Sequence, residues 1–164
     1  MFLLLALAAC STHDASAPAA PKQEGAFGSW KVLVSHQGRK DMLCYAGASP
    51  QESEGSIGAR ESKPYLMVTR RPSGKLEVSA SAGYRFMPGS KVELAIDDDT
   101  HSLFYKTSVA WARGDVGDRD IIESMKEADN IELRAVSDGG LTSVDYYPSE
   151  GFAEAVTHVR ELCP

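Results

Sequence analysis

Three cysteines, Cys10, Cys44 and Cys163, are the residues of this chain whose chemistry depends most on their surroundings. A thiol can be acylated, oxidised to a disulfide or bound to a metal, and its neighbours decide between these outcomes. Cys10 ends an apolar run, whereas Cys44 and Cys163 lie far apart in the rest of the chain. No second Cys or His stands at zinc-ligand spacing from Cys44 or Cys163, so the sequence predicts no metal site there.

The apolar run over residues 1–9 is typical of the core of a secretion signal. It is far shorter than the ~20 apolar residues of a membrane-spanning helix. Its end, Leu7-Ala8-Ala9-Cys10, resembles the lipobox of bacterial lipoproteins, whose cysteine receives a diacylglycerol and becomes the new N-terminus. The resemblance implies a signal peptide over 1–9 and lipid attachment at Cys10. The alternative is an ordinary signal peptide cut near a cysteine. Because no Lys or Arg precedes the run, we expect the natural start to lie upstream of Met1.

Residues 10–28 are small, polar and interrupted by Pro18 and Pro21, which predicts a disordered, lipid-anchored tether. The folded domain is then expected over 29–164, since this length suffices for one domain with its own core. Ser11 follows the cysteine, where an aspartate would signal inner-membrane retention. By that resemblance we expect an outer-membrane lipoprotein that faces the periplasm, with surface exposure as the alternative.

The net charge of −6 excludes a basic nucleic-acid-binding surface of the usual kind. It also disfavours electrostatic adhesion to an anionic membrane, so the membrane contact is expected to come from the lipid. If Cys10 carries that lipid, Cys44 and Cys163 remain as a pair in an oxidising compartment, which favours a disulfide between them. Two separate buried thiols are the alternative.

Catalytic motifs are not visible in the sequence. The four histidines, His13, His36, His101 and His158, are scattered, and neither a Gly-x-Ser-x-Gly elbow nor a His-Glu-x-x-His motif occurs. We therefore expect a protein that is not an enzyme and has no cofactor, no catalytic residues and no metal.

Two short motifs could bind a partner but have simpler interpretations. The run 97–99 consists of three aspartates, which suit calcium, yet no glutamate follows at loop-closing distance, so a solvated turn is expected. Arg113-Gly114-Asp115 is the tripeptide that integrins recognise, but a periplasmic domain would not meet an integrin.

Four aromatic residues are interpreted as core and not as a ligand groove: Trp30, Tyr84, Phe86 and Trp111. We interpret Tyr146-Tyr147 as a more exposed aromatic pair, with one of its two rings pointing inward.

Short alternating runs separated by turn residues predict a mainly β domain. The turn Asp138-Gly139-Gly140 indicates a hairpin between flanking strands. Two helices are expected. The first, near 120–128, is suggested by a capping box from Asp120 to Glu123. The second is C-terminal, from the helical spacing of Phe152 to Leu162. Together these elements predict a β-sandwich with two short helices.

An ordered set of short motifs runs from Trp30 to the C-terminus: Trp30, Cys44-Tyr45, Met67-Val68-Thr69-Arg70-Arg71-Pro72, Glu77-Val78-Ser79, Gly83-Tyr84-Arg85-Phe86, Pro88-Gly89-Ser90, Ala110-Trp111-Ala112, Met125-Lys126, Ser137 with Gly140 and Thr142, Asp145, Gly151-Phe152 and Cys163. This set resembles the invasion-associated locus B family of alphaproteobacterial envelope proteins. The resemblance implies an immunoglobulin-like β-sandwich in an exported protein.

These observations lead to one main expectation of function: a cell-envelope lipoprotein, invasion-associated by its resemblance, whose sandwich binds another envelope protein or supports envelope integrity. A surface-displayed factor for host-cell contact and a small-ligand carrier using a cleft of the sandwich are the alternatives.

Overall fold

The computed structural model describes residues 20–37, 41–56 and 58–164, so the expected signal peptide, Cys10 and the first part of the expected tether lie outside the described residues. The described part is mainly β with two helices, which confirms the predicted fold class. In chain order the elements are β1 (Lys22–Phe27), β2 (Trp30–Gln37), β3 (Asp41–Ala48), β4 (Glu52–Gly55), β5 (Tyr65–Arg70), β6 (Leu76–Ser81), β7 (Val92–Ile96), β8 (Asp99–Lys106), β9 (Val109–Trp111), α1 (Gly114–Lys126), β10 (Ile131–Val136), β11 (Thr142–Tyr147) and α2 (Phe152–Leu162).

Strand β8 joins the two sheets of the sandwich, because its two halves have different partners. Residues 99–103 pair with β7, and residues 104–106 pair with β9. The hydrogen-bonded order is therefore continuous: β1-β2-β3-β5-β6-β9-β8-β7-β10-β11-β4, with antiparallel neighbours throughout. We call β1-β2-β3-β5-β6-β9 sheet A and β7-β10-β11-β4 sheet B.

A single hydrophobic core receives side chains from both sheets and both helices. Along β2, Trp30, Val32 and Val34 are buried while the residues between them are not, as the two-residue period of a strand requires. Helix α2 packs on β1, β2, β3 and β5, and α1 packs on β6 and β7. The buried Trp30 donates its indole N–H to the Pro148 carbonyl at 2.9 Å, so burying this ring leaves no donor unpaired.

Helix α2 lies where its apolar spacing predicted it. Phe152, Ala155, Val156 and Val159 are all fully buried on one face, and the Phe152 ring packs edge-on against Trp30 with centroids 4.9 Å apart. The residue before the helix, Gly151, has φ +85°, and a Cβ there would lie 2.2 Å from the Phe27 carbonyl oxygen. Only glycine therefore allows β1 and the start of α2 to approach so closely.

Helix α1 begins six residues before the predicted cap, so the capping-box interpretation was wrong. The helix starts at Gly114 with no side-chain cap, and Asp120 is an exposed residue within it. Glu123 accepts a hydrogen bond from Lys126 at 2.7 Å instead of reaching back to residue 120. The buried carboxylate of this helix is Asp118, which accepts the Val78 backbone N–H at 2.8 Å. Burial raises the pKa of Asp118, and that hydrogen bond opposes the rise.

The sheet begins at Lys22, so the expected boundary of the tether at residue 28 was also wrong. Strand β1 pairs with β2 from Lys22 opposite Val34 to Phe27 opposite Trp30. Its side chains are mostly exposed, because β1 is an edge strand that contributes little to the core. Such a strand has no apolar alternation, and its polar composition resembles that of a linker.

Candidate functional site

The outward side of sheet A carries large apolar side chains where a solvated sheet usually carries polar ones. We call this side the outer face and define it by six residues: Leu33, Tyr45, Tyr65, Met67, Phe104 and Trp111. Strand register brings them together, since Leu33 lies opposite Tyr45, and Trp111 lies opposite both Ser79 and Phe104. Five of the six are half-buried, and Phe104 is 45% exposed.

Phe104 and Trp111 form the aromatic end of the outer face. Their rings stack with centroids 5.5 Å apart and an interplanar angle of 23°. Between Trp111 and Met67 lies Ser79, which is only 3% exposed although it points away from the core. The large neighbours therefore cover the small residue, and the face is continuous across the six neighbouring strands β2, β3, β5, β6, β9 and β8. Trp111 was predicted as core, but the structure places it on this face.

A hollow of about 500 Å³ interrupts the outer face near the β3–β4 connection. Its lining includes Leu33, Tyr45, Tyr65 and Met67, with Gly47 among them. Gly47 supplies no side chain at the point where Lys31 and Met67 flank it in the register. A Cβ at Gly47 would meet only ordinary contacts, the nearest being the Leu66 carbonyl oxygen at 3.8 Å. The backbone thus does not require glycine here, and its effect is to leave the hollow open.

The two tyrosines of the outer face are uncharged, and Lys31 is the charged residue among those that line the hollow. Burial raises the pKa of both Tyr45 and Tyr65, so their hydroxyls stay protonated at physiological pH. A surface with aromatic rings and a methionine has the composition that is enriched at the centre of protein interfaces. Its chemistry favours contact with another apolar surface.

The sequence also contains a signal for this face, in the composition of three strands. Strands β2, β3 and β5 read Trp-Lys-Val-Leu-Val, Met-Leu-Cys-Tyr-Ala and Tyr-Leu-Met-Val, which are nearly continuous apolar runs. An antiparallel strand with one side in water normally alternates apolar and polar residues. Apolar residues on both sides therefore indicate that the outward side has a contact of its own.

Cys44 and Cys163 form a disulfide in the structure, with their Cα atoms 6.0 Å apart. The bridge joins β3 to the end of α2, and both residues are buried. The Cys163 carbonyl also accepts a hydrogen bond from Arg70 Nε at 3.0 Å. The C-terminal end of the chain is therefore attached to sheet A by a covalent bond and a side chain.

A buried ion pair joins the loop before β5 to sheet B. The Arg60 guanidinium binds both carboxylate oxygens of Asp145, at 2.6 and 2.9 Å, and Asp145 is completely buried. Ser53 donates a third hydrogen bond to Asp145 at 2.6 Å, and Arg60 also lies 5.8 Å from the centre of the Tyr84 ring. These hydrogen bonds satisfy both oxygens of the Asp145 carboxylate. The ion pair therefore has a structural role: it holds the loop before β5 against sheet B. The sequence showed no sign of the partnership.

The acidic motifs have structural partners. The Asp97 carboxylate accepts the backbone N–H groups of Asp129 and Asn130, at 3.1 and 2.9 Å, which fixes the β7–β8 turn to the loop after α1. Asp115 of the Arg-Gly-Asp motif lies in the first turn of α1 and pairs with Lys75. The backbone contacts of Asp97 give that residue of the 97–99 run a structural role in the turn.

The predicted aromatic and histidine positions separate into core and surface. Trp30, Tyr84 and Phe86 are buried, as expected, and of the tyrosine pair Tyr147 is buried whereas Tyr146 donates its hydroxyl to Glu54 at 3.1 Å. The described histidines, His36, His101 and His158, lie on three different elements, β2, β8 and α2.

Within residues 20–37, 41–56 and 58–164, no three His, Cys, Asp or Glu side chains are grouped closely enough to hold a metal ion. Neither described helix is long and apolar enough to cross a membrane.

Comparison with known proteins identifies a shared fold. No protein-family model and no curated protein sequence matches the chain. Among solved structures, the crystal structure of invasion associated protein B from Bartonella henselae is similar to this one, with a TM-score of 0.62 over 88% of this chain and 97% of that chain. The sequence identity is 11%, so the similarity concerns architecture. The chain is thus structurally related to invasion associated protein B.

Proposed function

We propose that this protein is a non-enzymatic cell-envelope protein, anchored through a lipid on Cys10, whose sandwich binds another envelope protein with its outer face. The observation that carries the proposal is the continuous apolar surface from Leu33 to Phe104, with its open hollow at Gly47. Exposed contiguous apolar surface of this kind marks an interaction site, since single exposed apolar residues are scattered on ordinary surfaces.

The disulfide supports the compartment in this proposal. A bridge between Cys44 and Cys163 persists in the periplasm and outside the cell, where thiols are oxidised. The structural relationship to invasion associated protein B agrees with an exported protein that has an invasion-associated role. Our proposal includes an outer-membrane location with the domain facing the periplasm, which is supported by Ser11, and not an aspartate, directly after Cys10.

Variants of the outer face should weaken the capture of the partner while the fold persists. Gly47→Lys fills the hollow without backbone strain, and Phe104→Ser removes the most exposed ring of the face. If the face is the binding site, each variant should reduce the yield of crosslinked partner in living cells by about tenfold or more, as expected when an energetically important part of an interface is altered. The measurement is crosslinking in intact bacteria, followed by mass spectrometry of the captured proteins.

Val116→Ser is the matched control, because Val116 is 59% exposed but lies on α1, away from the outer face. Its crosslinking yield should equal that of the unmodified protein. Thermal unfolding midpoints of all three variants should stay close to the original, since surface substitutions change stability by only about 0.5 kcal/mol. Two results would exclude the outer face as a docking site. One is that no partner is recovered from cells that carry the unaltered protein. The other is that Gly47→Lys and Val116→Ser give equal yields of crosslinked partner.

The anchor has its own test in the intact mass of protein extracted from bacterial membranes. We expect the chain to begin at Cys10 and to be heavier than the polypeptide by a diacyl or triacyl group. Two acyl chains or more give stable membrane attachment, whereas one is marginal. The Cys10→Ser variant should lose the added mass and leave the membrane fraction. An unmodified mass for the unaltered protein would remove the lipid from the proposal and leave the outer face to be judged alone.

A further inference from the structure

A cationic pocket of about 290 Å³ lies where the β5–β6 turn meets helices α1 and α2. It is distinct from the outer face, with which it shares no residue. Four cationic, two acidic and two apolar side chains line it: Arg70, Lys75, Arg119 and Arg160, Asp115 and Glu123, and Leu76 and Ile122. The chain as a whole has a net charge of −6, so this cavity has the opposite sign to the average of the protein.

The two carboxylates of the pocket already have cationic partners. Asp115 pairs with Lys75, and Glu123 accepts a hydrogen bond from Lys126 at 2.7 Å. Among the described residues, the guanidinium groups of Arg70 and Arg160 have no carboxylate within ion-pair distance. The pKa of Glu123 is lowered mainly by its hydrogen bond with Lys126 and also by the charge of Arg160, which therefore lies near this carboxylate without contacting it. Both arginines can pair directly with an anion that enters the pocket.

Arg70 is held in position before any ligand arrives. Its Nε donates to the Cys163 carbonyl at 3.0 Å, and one of its terminal nitrogens donates to the Gly74 carbonyl. The disulfide at Cys163 fixes the first of these acceptors to β3. A guanidinium ordered in this way loses little conformational freedom when it binds an anion, and its planar fork suits carboxylate and phosphate oxygens.

The pocket also has an apolar part. Ile122 is 2% exposed, and Leu76 is half-buried beside it. We propose that this pocket binds a small soluble organic anion, a carboxylate or phosphate monoester, whose charged end pairs with Arg70 and Arg160 and whose apolar part lies on Leu76 and Ile122. The volume is at the lower end of ligand pockets, which are ~300–1,000 Å³, so the ligand is small.

Titration of the full chain with phenyl phosphate, followed by backbone amide chemical shifts, tests the proposal. We expect saturable shifts that cluster around Leu76 and Ile122, and weaker binding of inorganic phosphate, which has no apolar part. Arg160→Gln should weaken the binding of phenyl phosphate by about tenfold, because a charge-assisted hydrogen bond is lost. Arg85→Gln is the control, since Arg85 is an exposed arginine outside the pocket.

Four results would overturn the proposal. The first is the absence of saturable shifts around the pocket with phenyl phosphate. The second is equal weakening by Arg160→Gln and Arg85→Gln. The third is equal affinity for inorganic and phenyl phosphate, which would show that the apolar part contributes nothing. The fourth is Arg160-dependent binding to vesicles that contain phosphatidic acid without binding of phenyl phosphate, which would identify a lipid headgroup as the ligand.

Discussion

Replacement of both Cys44 and Cys163 by alanine should lower the free energy of unfolding by roughly 4–5 kcal/mol. The bridge joins residues separated by 119 positions, so it closes a loop that contains most of the folded chain. In the chain-entropy model the bridge lowers the conformational entropy of the unfolded chain, which stabilises the folded state. This stabilisation rises slowly with loop length. Removal of the bridge also releases the end of α2 from β3. Urea unfolding of the double variant, followed by circular dichroism, measures the change.

Unfolding in the presence of a thiol reductant provides the control for this prediction. The reductant should shift the unfolding midpoint of the unmodified protein to that of the double variant. It should leave the unfolding midpoint of the double variant unchanged. If the double variant loses less than about 1 kcal/mol, the unfolded state is already compact and the entropic account does not apply. The consequence for function is local, since Arg70 then loses a fixed acceptor at Cys163 whereas the outer face keeps its sheet.

Asp145→Ala should destabilise the fold by about 3–5 kcal/mol, because it leaves the guanidinium of Arg60 inside the sandwich without its partner. The side chains of Asp145 and Arg60 are 0% and 14% exposed, so water can replace the lost contact only in part. The substitution also leaves the Ser53 hydroxyl without its acceptor. Thermal and urea unfolding measure the loss. We expect the loop before β5 to become sensitive to protease in the same variant, since Arg60 is its attachment to sheet B.

A surface ion pair of equal length provides the matched control. Arg134 Nη2 lies 2.6 Å from a Glu132 carboxylate oxygen, the same distance as in the Arg60–Asp145 pair, but both side chains reach solvent. Glu132→Ala should therefore cost less than about 1 kcal/mol. Replacement of both Arg60 and Asp145 by apolar residues of similar size should recover part of the loss, because no buried charge remains unpaired. Similar effects of Asp145→Ala and Glu132→Ala would show that burial does not amplify this pair.

The secondary structure that the sequence predicted correctly is the part that local periodicity determines. The apolar spacing of Phe152, Ala155, Val156 and Val159 places α2 without reference to the rest of the chain. The turn Asp138-Gly139-Gly140 likewise fixes a hairpin, since the flanking strands alternate and glycine adopts the left-handed conformation at Gly140. In these elements the residues that form the structure are neighbours in sequence.

Strand β1 and the start of helix α1, which local sequence pattern does not predict, depend on distant partners. Strand β1 has a polar composition and exists because β2 offers it an edge to pair with. Helix α1 starts at Gly114 without a capping side chain, and its Asp118 is paired with Val78, 40 residues away. Neither partner can be identified from local pattern, because hydrogen bonds between distant segments leave no periodic trace.

The candidate sites divide in the same way. The sequence by itself determined the mainly β class, the second helix and the apolar character of both sides of β2, β3 and β5. Only the tertiary structure decided that Leu33, Met67, Trp111 and Phe104 form one outward surface, because strand register is set by pairing across the sheet. The same holds for the cationic pocket, since folding brings Arg70 and Arg160 together from segments that are far apart in the chain.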